Sequence, residues 1–164
     1  MKRFVCILLL TLLLPVLSLH AEETSLEDYL LGYDYAARWD MKITSPELVS
    51  LLRQGKAQFV DIRFAEEHAT WSMGFGQHIP LPELPRQLHR LDRDKLVVTA
   101  CPQKDRAIIA MAYLKTRGFQ VKYLTDGMLG LADYLRGDMA LELMDVLPPP
   151  SQDDSLESFG ICPG

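Results

Sequence analysis

The chain has 164 residues, 48% of them hydrophobic, enough for one domain with a buried core. Its 17 basic and 22 acidic side chains leave a formal charge of −5. That balance argues against nucleic acid and anionic membrane surfaces as partners.

In chain order, Lys2 and Arg3 precede an apolar run from Phe4 to Leu14, broken only by Thr11, and then Pro15 and a small-residue exit near Ala21. A charged start, an apolar middle and a small residue at the cut make residues 1–21 a secretory signal peptide. The run is too short to span a bilayer comfortably. Ser18 and Ala21 both fit the cut. The expectation is a secreted, periplasmic protein with no membrane attachment after signal removal. Loss of Lys2 and Arg3 would make the mature chain more acidic still. Cys101 and Cys162 would remain. In an oxidising compartment they could pair, or stand as one reactive thiol and a bystander.

Residues 22–40 read as a helical N-terminal extension. Leu26, Tyr29, Leu30 and Tyr33 fall at the i, i+3, i+4, i+7 spacing of one face. That face either packs on the domain or meets a partner. A compact α/β pattern occupies residues 41–138. "KITSPELVSLLRQG" carries a helix start at Ser45-Pro46, an apolar face of Leu48, Leu51 and Leu52, and a stop at Gly55. "AQFVDIR" is a short strand, "LPELPRQLHRLD" a helix-like piece, "DKLVVTA" a strand, and "RAIIAMAYLKTRGF" a helix closed by Gly118. "QVKYLT" is a further strand, followed by a turn at Gly127 and a last helix near 129–136. Alternation at these lengths implies βαβ crossovers, hence a mostly parallel sheet with helices on both faces. Residues 139–164, rich in proline, serine and acids, read as a largely disordered tail.

Cys101 sits between the strand "LVVTA" and the helix beginning near Arg106. Ligands of open α/β sheets bind beyond the carboxyl ends of strands. A short loop curling into a helix start points backbone N–H groups inward and adds the helix dipole, which makes an anion cradle. A thiolate at its base would be stabilised, so the Cys101 pKa is expected to fall below that of a free cysteine. Lys104 and Arg106 would add positive charge. The alternative is a buried structural cysteine at a strand end.

Five pieces, "ITSPELVSLL", "FVDIRFAEEHA", "HIPLPEL", "KLVVTACPQKDRA" and "YLKTRGFQVKYLTDG", give residues from about 42 to 136 the order and spacing of a rhodanese-like domain, which this region resembles. The resemblance implies a five-stranded parallel sheet flanked by helices, and a catalytic cysteine that carries sulfane sulfur as a persulfide. Cys101 stands at that position and Arg106 matches a frequent arginine at the loop's end. Asp61 and Arg63 match the family's Asp-x-Arg after the second strand. They would orient backbone near the loop or form a structural ion pair. Four residues lie between Cys101 and Arg106. The related cysteine phosphatases and arsenate reductases place one residue more there, which opposes phosphatase activity.

The chain also departs from the family. Pro102 has no N–H to lend the cradle. Lys104 replaces a frequent glycine, and would be strained if that position needs positive φ. Asp105 brings negative charge to an anion site. Ala107 replaces a serine or threonine, Trp71 and Ser72 stand in place of a Gly-His-Ile piece, and Leu131 replaces a tryptophan. His68, His78 and His89 lack ligand spacing, so no metal site is expected.

These readings converge on a sulfurtransferase moving sulfane sulfur from a small anionic donor, of thiosulfate or polysulfide type, to a thiol, a protein acceptor or cyanide. Cys101 would be the nucleophile, with Gln103, Lys104 and Arg106 binding the donor and no cofactor needed. Cys162 is a candidate redox partner of Cys101. The rival expectation is a non-catalytic binding or redox module.

Overall fold

A computed structural model describes residues 23–147. The signal-peptide reading and Cys162 lie outside the described residues. Five strands, β1 (Lys42–Ile43), β2 (Ala57–Asp61), β3 (Gln77–His78), β4 (Leu96–Ala100) and β5 (Val121–Leu124), form one sheet in the order β1-β5-β4-β2-β3. Every pairing is parallel.

Among the described residues seven α-helices accompany them: α1 (Leu26–Leu31), α2 (Tyr35–Asp40), α3 (Ser45–Arg53), α4 (Ala65–Thr70), α5 (Asp105–Thr116), α6 (Gly127–Tyr134) and α7 (Asp138–Met144). Successive residues of a strand point to opposite faces, so the sheet divides the core in two. Val60, Val97 and Val121 pack with Ala110, Met111 and Leu114 of α5 on one side. Phe59, Val98 and Leu124 pack with Leu48 and Leu52 of α3 and Met128 and Leu131 of α6 on the other. With both faces covered, the central strands are buried almost throughout, as "FVD" and "LVVTA" are.

Local chemistry sets the boundaries. Thr44 and Glu47 form a capping box at the start of α3: the Thr44 amide and hydroxyl both donate to Glu47 Oε2, at 2.9 and 2.8 Å. The piece "LPELPRQLHRLD", expected as a helix, instead makes two 3-10 turns, Leu84–Arg86 and Leu88–Arg90. Pro82 and Pro85 remove amide donors that a longer helix needs. The N-terminal extension is helical but divided at Gly32, and no residue of α1 or α2 is buried. The Thr24 amide ties it to the end of α5 through the Thr116 carbonyl, at 2.9 Å.

Helix α7 falls in the stretch whose composition suggested a disordered tail. Met139, Ala140 and Leu143 form an apolar stripe, and Leu143 is fully buried against the α3–α6 side. Arg53 of α3 reaches Glu142 at 2.7 Å. Proline and acid content dominate the composition beyond, while this stripe occupies a single turn.

Candidate functional site

Strands β2 and β4 end in register, Asp61 beside Ala100, and the site is built on those two carboxyl ends. Cys101 follows Ala100 directly and has no exposed surface. Residues 102–104 bend, and α5 begins at Asp105, so the amides of Arg106 and Ala107 face the Cys101 sulfur and favour its thiolate. The carbonyl side of the loop is also held. The amides of Met128 and Leu129 donate to the carbonyls of Cys101 and Pro102, at 2.9 and 3.4 Å. Gly127, at φ 62°, is where helix and loop touch: a Cβ there would lie 2.3 Å from the Gln103 carbonyl oxygen. Only glycine permits both that backbone angle and that approach.

The electrostatics differ from expectation. Burial, first, pushes the Cys101 thiol above its ordinary value, and Asp105 pushes the same way, outweighing the two amides. The thiol donates to Asp105 Oδ1 at 3.4 Å. The anticipated drop in pKa is therefore corrected to a rise. Alkylation rates of the native protein, followed against pH, should inflect above the ordinary cysteine value. An inflection below it would contradict this assignment.

Arg106 is also placed differently from the expected donor-binding role. Its two terminal nitrogens grip the carboxylate of Glu67, at 2.5 and 2.9 Å, and its guanidinium lies 5.3 Å from the Phe64 ring centre. The pair raises the Arg106 pKa and holds that of Glu67 at about 2. Gln103 and Lys104 are exposed. Lys104 has φ −160°, not the positive φ that would demand glycine there.

Glu67 makes acid sensitivity testable. Its folded pKa lies below the unfolded value, so its contribution is complete above about pH 4.5 and fades as pH falls towards 2. The pair is partly exposed, so the loss should be no more than about 1 kcal/mol. Denaturation of Glu67→Gln at pH 7 and pH 3 should show a smaller acid loss than the native chain; equal losses would count against the linkage.

Asp61 and Arg63 form a buried pair, 4% and 0% exposed. Arg63 Nε and Nη2 hold the Asp61 carboxylate, at 3.0 and 2.6 Å, while Nη1 and Nη2 donate to the carbonyls of Glu67 and Trp71, at 3.3 and 2.7 Å. The guanidinium also sits over the Trp71 ring, 4.1 Å from its centre. Arg63 thus fixes the backbone of α4, and the side chain of α4's Glu67 fixes Arg106. His68 and His78, on α4 and β3, stack with ring centres 4.0 Å apart. Sequence reasoning missed Glu67, and read Gly127 as a turn without its contact with the Cys101 loop. The two neighbouring acids in the first turn of α4 were the only local signal for Glu67, and its partner lies 39 residues away.

A family model for the rhodanese-like domain matches residues 44–133. No curated protein matches the chain. Among solved structures, a rhodanese-related protein from Thermoplasma volcanium is similar at 22% identity with a TM-score of 0.51, over 57% of this chain and 91% of that one. A Lactobacillus plantarum protein is similar at 18% identity and a TM-score of 0.55, over 66% of this chain and 92% of its own. These two likenesses concern the fold. A thiosulfate sulfurtransferase from Pseudomonas aeruginosa is similar at 26% identity and a TM-score of 0.54, over 62% of this chain. That match takes in only 20% of the larger protein. The family match covers more than half of the residues and runs from α3 through Asp61, Arg63 and the Cys101 loop into α6, so the chain belongs to the rhodanese-like domain family.

Proposed function

We propose that the protein is a sulfurtransferase working through a persulfide on Cys101, and that it acts in the periplasm after removal of residues 1–21. The observation that carries this reading is the Cys101 sulfur at the end of central strand β4, faced by the amides of Arg106 and Ala107 in a domain of the rhodanese-like family. Those donors suit a terminal sulfur anion better than a bare thiol, because each added charge strengthens the hydrogen bond. Cys101 attacks the outer sulfur of a sulfane donor, of thiosulfate or polysulfide type. The remainder of the donor leaves, and the loop amides hold the persulfide. A thiol, a protein acceptor or cyanide then takes the sulfur and frees Cys101. This is two-step covalent catalysis.

Intact mass spectrometry of protein incubated with a sulfane donor tests the reading. One added sulfur atom, mapped to Cys101 and removed by excess thiol, supports it. An unchanged mass with every donor class tried would sink it. The complete burial of Cys101 and the engagement of Arg106 by Glu67 favour a second reading, a binding or redox module of the same family. The unchanged mass is what that reading expects.

A further inference from the structure

The charged group in contact with the Cys101 sulfur is negative, and the loop's arginine is engaged elsewhere. Arg106 spends its fork on Glu67. Pro102 offers no amide proton. The charged group that contacts the sulfur is a carboxylate, Asp105 Oδ1, at 3.4 Å. Asp105 is exposed, and its pKa is lowered by the backbone amide of Arg106 first and then by the Cys101 thiol, so it is ionised at neutral pH. Lys104 is the loop's other cation and is exposed. Thiosulfate brings two negative charges against that carboxylate. A hydropersulfide, R–S–S–H, brings at most one.

We propose that Asp105 is the proton acceptor for Cys101 and that it sets the donor class, a hydropersulfide in preference to a dianion such as thiosulfate. This deepens the sulfurtransferase reading and rests on it. In the step, the Cys101 S–H bond breaks and its proton passes to the Asp105 carboxylate. The freed electron pair on Sγ forms a bond to the terminal sulfur of R–S–S–H. The S–S bond of the donor breaks, its pair leaving on R–S⁻, which takes the proton from Asp105. Cys101–SH and R–S–S–H become Cys101–S–S–H and R–SH, with no outside oxidant or reductant. Little thiolate exists in advance on this buried thiol, so its proton must move as the new S–S bond forms, and Asp105 Oδ1 is the group in contact to take it. In this site Asp105 is a catalytic residue, since it touches the reacting sulfur.

The test compares initial rates of Cys101 loading, read by intact mass, from equal concentrations of thiosulfate and of the hydropersulfide of 2-mercaptoethanol, whose carrier is uncharged. The native protein should load at least about tenfold faster from the hydropersulfide, since a like charge a few ångströms away costs more for the dianion. Asp105→Asn should slow hydropersulfide loading, speed thiosulfate loading, and move the alkylation inflection of Cys101 to lower pH. Native loading as fast or faster from thiosulfate overturns the inference while leaving sulfur carriage intact. Asp105→Asn slowing both donors by the same factor also overturns it, because a purely structural place in the first turn of α5 would do that. Loading from neither donor removes the sulfurtransferase reading together with the inference.

Discussion

Replacing Cys101 with serine is expected to abolish sulfur loading and transfer, a loss of at least about 1,000-fold, as removing a covalent nucleophile generally does. The fold should survive. Serine is close in size to cysteine, and the site is fully buried among Val60, Val97 and Ala107, where shape matters most. A serine hydroxyl can still donate towards Asp105 Oδ1, as the thiol does at 3.4 Å. What it cannot do is give up its proton as readily as a thiol or hold a transferable sulfur. Persulfide mapping and a thiosulfate:cyanide or thiol-acceptor assay, run beside thermal melts, check both halves. Full transfer by Cys101→Ser would refute the assignment of the nucleophile. A melt shifted by many degrees would move the residue from chemistry to packing.

The largest effect on stability is expected at Arg63. Truncation to alanine removes donors to the Asp61 carboxylate and to the carbonyls of Glu67 and Trp71, and leaves Asp61 almost fully buried as an unpaired charge. Breaking a buried pair from one side costs about 3–5 kcal/mol, a large part of the 5–15 kcal/mol that is typical of a whole domain. The guanidinium also packs on Trp71, so a cavity adds to the loss. Arg63→Lys should recover little, since an ammonium cannot reproduce the fork that grips Asp61 while reaching two carbonyls. Asp61→Asn combined with Arg63→Met should be far milder than Arg63→Ala, because no buried charge is stranded. Urea denaturation measures all three. A loss below about 1 kcal/mol for Arg63→Ala would mean that Asp61 gains water or a new partner.

Much of the fold was legible because three strands are buried on both faces. "FVD", "LVVTA" and "VKYL" read as strands from composition alone, and glycines or prolines mark their borders. Strands β1 and β3 were not legible in that way. Each has two residues, too few for any period, and each exists because a longer neighbour offers it a free edge. The position of Cys101 at a strand-to-helix junction was also legible, since it follows from the order of elements. Its burial was not, because exposure depends on how α5 and α6 close around the loop. Nor was the engagement of Arg106. A positive side chain at a loop's end looks available until the fold brings a carboxylate from α4 beside it. The order of elements thus placed Cys101 at the strand-to-helix junction, while the residue types were too generous about the positive charge surrounding it.

The bond from the Met128 amide to the Cys101 carbonyl has a use beyond geometry. An amide hydrogen so engaged trades with heavy water only when its partner lets go. Helix α6 and the Cys101 loop are joined at that point and pressed together at Gly127, so the two part as a unit. The deuterium uptake of one backbone site in α6 therefore counts the moments when the Cys101 loop comes loose, with no added ligand and no change to the cysteine.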